Sequence, residues 1–338
     1  MNIALIGLGM VSGTHVAAIQ ASERGLNLAG VLGRNPEKAA EFAQRNDTRA
    51  FSSVEEIAND SNVDFAIIAT PPDQRTELVR VLSTASKPIL MEKPIERTLD
   101  AATAIVEQCE VSGVPLGIVF QHRARAASQA LKSAIEQGEL GAIATVEIRV
   151  PWWRDQSYYD EPGRGTYARD GGGVMISQAI HTLDLAMWLL GPISDIQAMM
   201  RKTPLHDLEA EDWAGTIFEM DNGAVGTMMA TTAEYPGAAE SITIQGTRAK
   251  AHLESGVLTL TTFDDHKSTV GETSATGGGA DPMAFTHDWH QAVIEDFAEA
   301  IAGGTRPMAT GRSALLTHAV IDAMQIANRT GQKTRVIS

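Results

Sequence analysis

The chain opens Met1-Asn-Ile-Ala-Leu-Ile-Gly-Leu-Gly-Met-Val-Ser-Gly13, and this stretch decides the fold. Ile3 to Ile6 form a short apolar run, the pattern of a strand buried on both faces. Gly7, Gly9 and Ser12 follow in G-x-G-x-x-S spacing, and Val11, His15, Ala18 and Ile19 then open a helical pattern. Strand, glycine turn and helix together form a dinucleotide-binding fingerprint. Gly7 admits the tight turn. Gly9 lets backbone approach a pyrophosphate, and Ser12 is small enough for close helix–strand packing. Met10 and Val11 complete the turn, and the helix behind it offers free N–H groups and partial positive charge to phosphates. The alternative is a glycine turn that binds nothing.

A second strand follows at Leu26–Leu32 and ends in Gly33-Arg34-Asn35, with Pro36 at a favoured first helical position. The tip of this strand is where an acidic residue bonds the ribose 2′-hydroxyl of NAD, or an arginine accommodates the 2′-phosphate of NADP. Positions 33 to 35 hold no carboxylate and do hold Arg34, which favours NADP over NAD; otherwise Arg34 is a solvated surface residue. Asp64–Ala69 is the next buried strand and runs into Thr70-Pro71-Pro72, with Asp73 placed to cap the next helix. Pro88–Met91 leads to Glu92-Lys93-Pro94, Leu99–Val111 is a long helix, and Pro115–Phe120 is another strand. Strands alternating with helices predict a parallel sheet, whose ligands bind at the carboxyl ends of the strands. Gly9, Arg34, Thr70 and Lys93 all sit at such ends. A lysine there could hold a substrate oxygen; the alternative is an ion pair with Glu92 or Glu96.

From Gln121 the pattern changes. Ala124–Gln137 reads as a helix and Ala144–Val150 as a strand. The polar, aromatic stretch from Pro151 to Asp160, continuing through Arg164, Tyr167 and Arg169, includes Trp152, Trp153 and Arg154. It suits either a polyhydroxylated ligand or contacts between subunits. Asp170 to Leu190 recurs at helical spacing until Gly191-Pro192. Ser177 and His181 are four apart and share a face, with Asp184 one turn on. His181 is either a packed core imidazole or a proton-exchanging group. His181 with Asp184 finds no third metal ligand at sensible spacing, so no metal is expected. The rest alternates like an antiparallel sheet, with strands near 195–203, 213–220, 224–232, 241–246, 250–254 and 257–262 and a hairpin turn at Asp221-Asn222-Gly223. Residues 264–282, including Gly277 to Gly279, read as a loop. His287 and His290 start a helix in which they cap or pack. A last helix, about 313–329, is expected to fold back and tie the domains together.

With 338 residues the chain is long enough for about two domains, divided here as 1–121 and 122–338. A net charge of −15 speaks against nucleic acid as a partner. The single cysteine, Cys109, excludes an intrachain disulfide and suits the cytoplasm. No apolar run approaches membrane-spanning length, so no membrane partner is expected.

Three pieces together resemble the glucose–fructose oxidoreductase/inositol dehydrogenase family, Gfo/Idh/MocA: the Gly7-x-Gly9 turn with His15, the Glu92-Lys93-Pro94 tripeptide, and the Gly171-Gly-Gly173 to His181 segment. The resemblance implies a Rossmann domain followed by an α+β domain whose large open, mostly antiparallel sheet builds dimers or tetramers. It implies oxidation or reduction of a sugar, sugar acid, polyol or related hydroxy compound with NAD or NADP. The family's lysine falls on Lys93 and its histidine on His181. Cofactor contacts are then expected from Gly7, Gly9, Met10, Val11, Arg34, Thr70, Pro71, Glu92 and Lys93. Substrate contacts are expected from Lys93, Arg154, Tyr167, Arg169 and His181. Members commonly carry an aspartate four residues before the histidine; here that place is Ser177, which can orient a neighbour but supplies no charge. Two other readings on the same fold are an NAD-dependent glycoside-cleaving enzyme and a non-catalytic sugar sensor.

Overall fold

The computed structural model describes residues 1–273 and 286–337. They fall into two compact units: Met1–Gln121 with Thr286–Leu315, and His122–Phe285 with Leu316–Ser338. The first segment of the first unit ends at Gln121. The segment from Thr286 to Leu315 differs from that linear split, because its helix packs on the first helix of the chain.

In the first unit, strands β1 (Asn2–Ile6), β2 (Asn27–Leu32), β3 (Phe65–Ile68), β4 (Ile89–Glu92) and β5 (Leu116–Val119) form a parallel sheet in the order β2-β1-β3-β4-β5. Every residue of β3, β4 and β5 is buried, which is why those strands read as unbroken apolar runs. Crossovers are supplied by α1 (Ser12–Ala21), α2 (Pro36–Arg45), α3 (Val54–Asn59), α4 (Arg75–Thr84) and α5 (Leu99–Val111). Asn35 caps α2 by accepting the Lys38 N–H at 3.0 Å, with Pro36 just inside the start. Ala50 makes an isolated parallel bridge to Val31, a remnant strand outside β2. The sheet order reverses at β1, the point where such sheets bind ligands. Asp73 does not cap α4: it lies in a 3₁₀ turn, Pro72–Gln74, and its carboxylate accepts from Gln74. Cys109 is buried in α5, and burial pushes its thiol up to about 12, so it is packing rather than a nucleophile.

A 3₁₀ turn, Gln121–Ala124, spans the start of the second unit, which continues with α6 (Ala126–Glu136), β6 (Ile143–Pro151), α7 (Gln156–Tyr159) and α8 (Ile180–Leu190). Its sheet adds β7 (Ile193–Arg201), β8 (Trp213–Met220), β9 (Val225–Thr231), β10 (Ser241–Gly246), β11 (Ala249–Glu254), β12 (Val257–Thr262), β13 (Lys267–Val270) and β14 (Thr334–Arg335). The order is β13-β12-β11-β10-β6-β9-β8-β7-β14, antiparallel at every pair except β6 and β9. Val146, Ile148 and Val150 of β6 are buried on the face where α6 and α8 pack, while Thr145, Glu147 and Arg149 point the other way into solvent. Strand β13 lies within the stretch expected to be loop; its four residues are all exposed, so no apolar period marks it. The expected loop at Gly277–Gly279 lies outside the described residues. Helices α9 (Asp288–Gly303) and α10 (Gly311–Thr330) complete the chain.

Candidate active site

The glycine turn is built as its sequence requires. Gly7 adopts a left-handed φ of +101°, and a Cβ there would lie 2.7 Å from the Ala69–Thr70 backbone, so β1 and β3 meet closely only through glycine. A Cβ on Gly9 would meet nothing within 4 Å, and Gly9 and Met10 are exposed. Ser12 is buried, its hydroxyl donating to Gly9 O at 2.7 Å. Helix α1 has no side-chain cap at Val11 and no acidic residue in its first turn. A turn with open space over Gly9 and an uncapped, acid-free helix start fits a pyrophosphate.

Lys93 stands at the carboxyl end of β4, where an unforeseen residue shapes the backbone around it. Arg75 is fully buried, and its guanidinium reaches the Thr70 carbonyl at 2.6 and 3.0 Å and the carbonyls of Glu92 and Pro94, one on each side of Lys93. Burial lowers its pKa to about 10, against the raising effect of Glu92 and Glu96, so it remains a cation at neutral pH. The signal for Arg75 was a cation three residues past the Pro71-Pro72 pair, at the first residue of a helix.

Glu92 was expected to touch cofactor. Its side chain instead turns inward, where Oε1 lies 2.9 Å from His15 Nε2 and 3.7 Å from His290 Nε2. Burial pushes this carboxyl up, but the bonds to the two imidazoles outweigh that and hold it well below the usual carboxylate range. Burial likewise lowers His290. The two histidine rings meet edge to face at 5.2 Å. Among the described residues this is the group whose donor atoms are close enough for a metal, within 4.8 Å of one another; His181 and Asp184 do not form one. The three side chains tie α1, β4 and α9 together at Glu92, the residue that precedes Lys93. Thr70 is half-buried, and Pro71 and Arg34 are exposed at the same carboxyl edge of the sheet.

In the second unit, His181 is 6% exposed in the first turn of α8. The residues before it do not continue as a plain α-helix. Met175–Ala179 form a π turn, so Ser177 lies in a widened turn and the α-helical four-residue rule does not carry it onto the face of His181. Glu211 seats the head of this helix. Its carboxylate accepts the N–H groups of Gly173 and Met175 at 3.2 and 3.1 Å, and its carbonyl accepts Val174 N–H at 2.9 Å. A Cβ on Gly173 would lie 1.7 Å from that carbonyl oxygen, which explains a glycine there. Burial raises the Glu211 carboxyl, and the backbone donors oppose it. Asp184 does not stand in for the missing aspartate: Arg123 grips it at 2.7 and 2.6 Å.

The loop residues expected at substrate serve several internal contacts. Arg154 is buried, donating to the Trp153 carbonyl at 2.7 Å beneath the Trp152 and Tyr158 rings. Arg169 donates to Glu161 at 2.8 Å and to the Pro162 carbonyl at 3.1 Å. Tyr167 is 47% exposed.

Comparison with known proteins agrees with this geometry. Residues 1–120 match the model of an oxidoreductase family with an NAD-binding Rossmann fold, and residues 128–252 match the GFO/IDH/MocA C-terminal domain. The chain belongs to the Gfo/Idh/MocA family. This family member is 24% identical to D-apiose dehydrogenase of Rhizobium rhizogenes, over 95% of this chain and 93% of that one. It is 25% identical to scyllo-inositol 2-dehydrogenase (NAD(+)) of Bacillus subtilis, over 92% and 89%. Its structure superimposes on the WlbA dehydrogenase of Bordetella pertussis, solved with NADH and UDP-GlcNAcA, with a TM-score of 0.84 at 27% identity, covering 100% of this chain and 99% of that one. The Gfo/Idh/MocA protein described here is therefore an oxidoreductase, and its first unit is an NAD-binding domain. No helix among the described residues is long and apolar enough to cross a membrane.

Proposed function

We propose that the protein exchanges a hydride between a nicotinamide and a carbinol carbon of a sugar, sugar acid, polyol or related hydroxy compound. The observation that carries this reading is the Arg75 clamp. It bonds Thr70, beside Gly7, and the two carbonyls flanking Lys93, which supports a lysine backbone held firmly at the carboxyl end of the sheet near the glycine turn. When bound, the nicotinamide supplies the hydride chemistry. Lys93 holds the substrate oxygen and stabilises charge growing on it. His181 takes the hydroxyl proton during oxidation and returns it during reduction. Ser177 orients one of the two, and Arg154, Tyr167 and Arg169 contact substrate. The dehydrogenase names of the relatives, and the sugar nucleotide bound to WlbA, support a hydroxylated substrate.

Arg34, exposed and without a carboxylate at 33 to 35, supports NADP as the preferred cofactor. A screen of sugars, sugar acids, inositols and sugar nucleotides with both cofactors tests the whole reading. The expected result is reduced nicotinamide formed with at least one compound, and a higher kcat/KM with NADP. Arg34→Ala should cost NADP about tenfold or more, the worth of a charge-assisted bond, and leave NAD nearly unchanged. Selectivity for NAD in the parent protein overturns the role of Arg34 alone. Failure of every compound with both cofactors overturns the reaction.

The solvent-facing side of the nine-stranded sheet forms a broad concavity of about 750 Å³ lined by Glu147, Gln197, Ile217, Val225 and Thr227, among others. Ile217, Val225 and neighbouring Met199 are exposed, an apolar set on an otherwise polar face. A second copy of the chain is the occupant proposed for this face. Light scattering should give at least a dimer, and Ile217→Lys should lower the mass; a monomeric parent protein removes the proposal.

A further inference from the structure

The turn at Gln121–Ala124 and the residue after it carry three buried basic side chains, His122, Arg123 and Arg125, that the reaction above leaves unused. His122 is 3% exposed and lies face to face with His181, ring centroids 4.9 Å apart and planes inclined by 27°. Its Nε2 is 4.0 Å from Oε1 of Glu240, the residue just before β10, itself 4% exposed. That same oxygen accepts Arg125 Nη1 at 2.7 Å, and Oε2 accepts Trp152 Nε1 at 3.3 Å. The other carboxylate near His181, Asp184, is taken by Arg123 and by the Thr317 hydroxyl at 3.4 Å. Elsewhere around α8, Lys132 of α6 bonds the Trp188 carbonyl at 3.1 Å and lies 3.4 Å from Glu136, Glu211 holds the helix head, and His318 is buried on α10.

We propose that His122 and Glu240 are positioning residues for His181: the stacked ring fixes the plane of the His181 imidazole, and Glu240, at the Nε2 edge of His122, supplies the negative charge that Ser177 does not. This rests on the reading of His181 as the proton-exchanging group. A buried ring in van der Waals contact restricts rotation of its neighbour. Two touching imidazoles cannot both take a proton cheaply, so they titrate as a pair, and a carboxylate at one end favours the singly protonated pair. Arg125 offsets part of that charge, which keeps the pair able to release its proton. His122 touches no substrate in this scheme.

The test is a histidine side-chain NMR titration of the whole protein without cofactor or sugar, with the His181 signal identified by its loss in His181→Asn. In the parent protein the His122 and His181 curves should be broadened by coupling. Glu240→Gln should move the His181 midpoint to lower pH by about half a unit or more, because a negative charge is lost near the protonated ring. His122→Phe keeps a ring in the stack and should leave His181 with a one-proton curve. In the dehydrogenase assay the pH limb set by His181 should follow the Glu240→Gln shift; a merely structural role would lower kcat at every pH and leave the limb in place. A His181 curve with the same midpoint in Glu240→Gln and the same slope in His122→Phe overturns the proposal. If Glu240→Gln does not fold, the His122→Phe slope decides alone. Absence of any turnover sinks the proposed reaction while the titration still reads the pair. Turnover with an unmoved His181 curve sinks only this inference.

Discussion

Replacing Lys93 by Met is expected to lower turnover about a hundred- to a thousandfold, and replacing His181 by Ala about a hundred- to ten-thousandfold, the ranges for losing an electrostatic stabiliser and a general acid–base group. Met keeps most of the length and apolar stem of Lys93 and removes only the ammonium. The Arg75 clamp acts on backbone carbonyls, so it survives the change and holds the strand tip in place. Nucleotide affinity, measured by fluorescence titration, should therefore stay within about threefold, a change of well under 1 kcal/mol. On the roles proposed above, the double variant should be little worse than the poorer single one, since groups that serve one transition state act as a unit. Turnover is read from absorbance of the reduced nicotinamide. Single variants that keep parental kcat would remove both residues from the chemistry, and a large loss of nucleotide affinity would move Lys93 from substrate to cofactor.

The sequence showed the first unit clearly because its signals are local. Ile3–Ile6 and Phe65–Ile68 are adjacent parallel strands buried on both faces, so each is a continuous apolar run that needs no partner to be recognised. Gly7 was legible for the same reason: a left-handed turn at a strand end leaves a glycine in the sequence. What stayed hidden depends on contacts between distant residues. Arg75 and Glu92 are seventeen residues apart, and His15 and His290 are 275 apart, yet each pair meets through the buried end of β4. Glu92 looked like a cofactor contact because its neighbour Lys93 sits at the sheet edge; alternation along a strand sends consecutive side chains opposite ways. The π turn at Met175–Ala179 was invisible because apolar residues recur there closely enough to α spacing to pass as one helix. The turn Gln121–Ala124 carries a faint sign in its sequence: three basic groups in five residues after a buried strand are out of place unless buried acids answer them.

The Arg123–Asp184 pair is where that answer should be largest. Both side chains are almost completely buried, and the guanidinium meets the carboxylate through two bonds of 2.7 and 2.6 Å. Burial raises the Asp184 carboxyl, and Arg123 is the main influence opposing it. Arg123→Leu leaves that carboxylate buried without its cation and should destabilise the protein by about 3–5 kcal/mol. Arg123→Leu with Asp184→Leu removes both charges and should recover most of the loss, because the pair's attraction is largely cancelled by the cost of taking two ions out of water. The sign of the pH dependence follows from the same group. In Arg123→Leu the folded Asp184 pKa rises further above its unfolded value, so the folded state binds the extra proton. The penalty is full above the folded pKa and fades as pH falls through it toward the unfolded value. The gap in Tm between Arg123→Leu and the parent protein should therefore narrow on going from about pH 8 to about pH 5, while the double variant shows no such narrowing. Urea melts and calorimetry read both effects. A double variant as unstable as Arg123→Leu would mean that the packing of Arg123 against Trp188, 5.9 Å from the ring centre, and not its charge, holds α8 to the 121–125 turn.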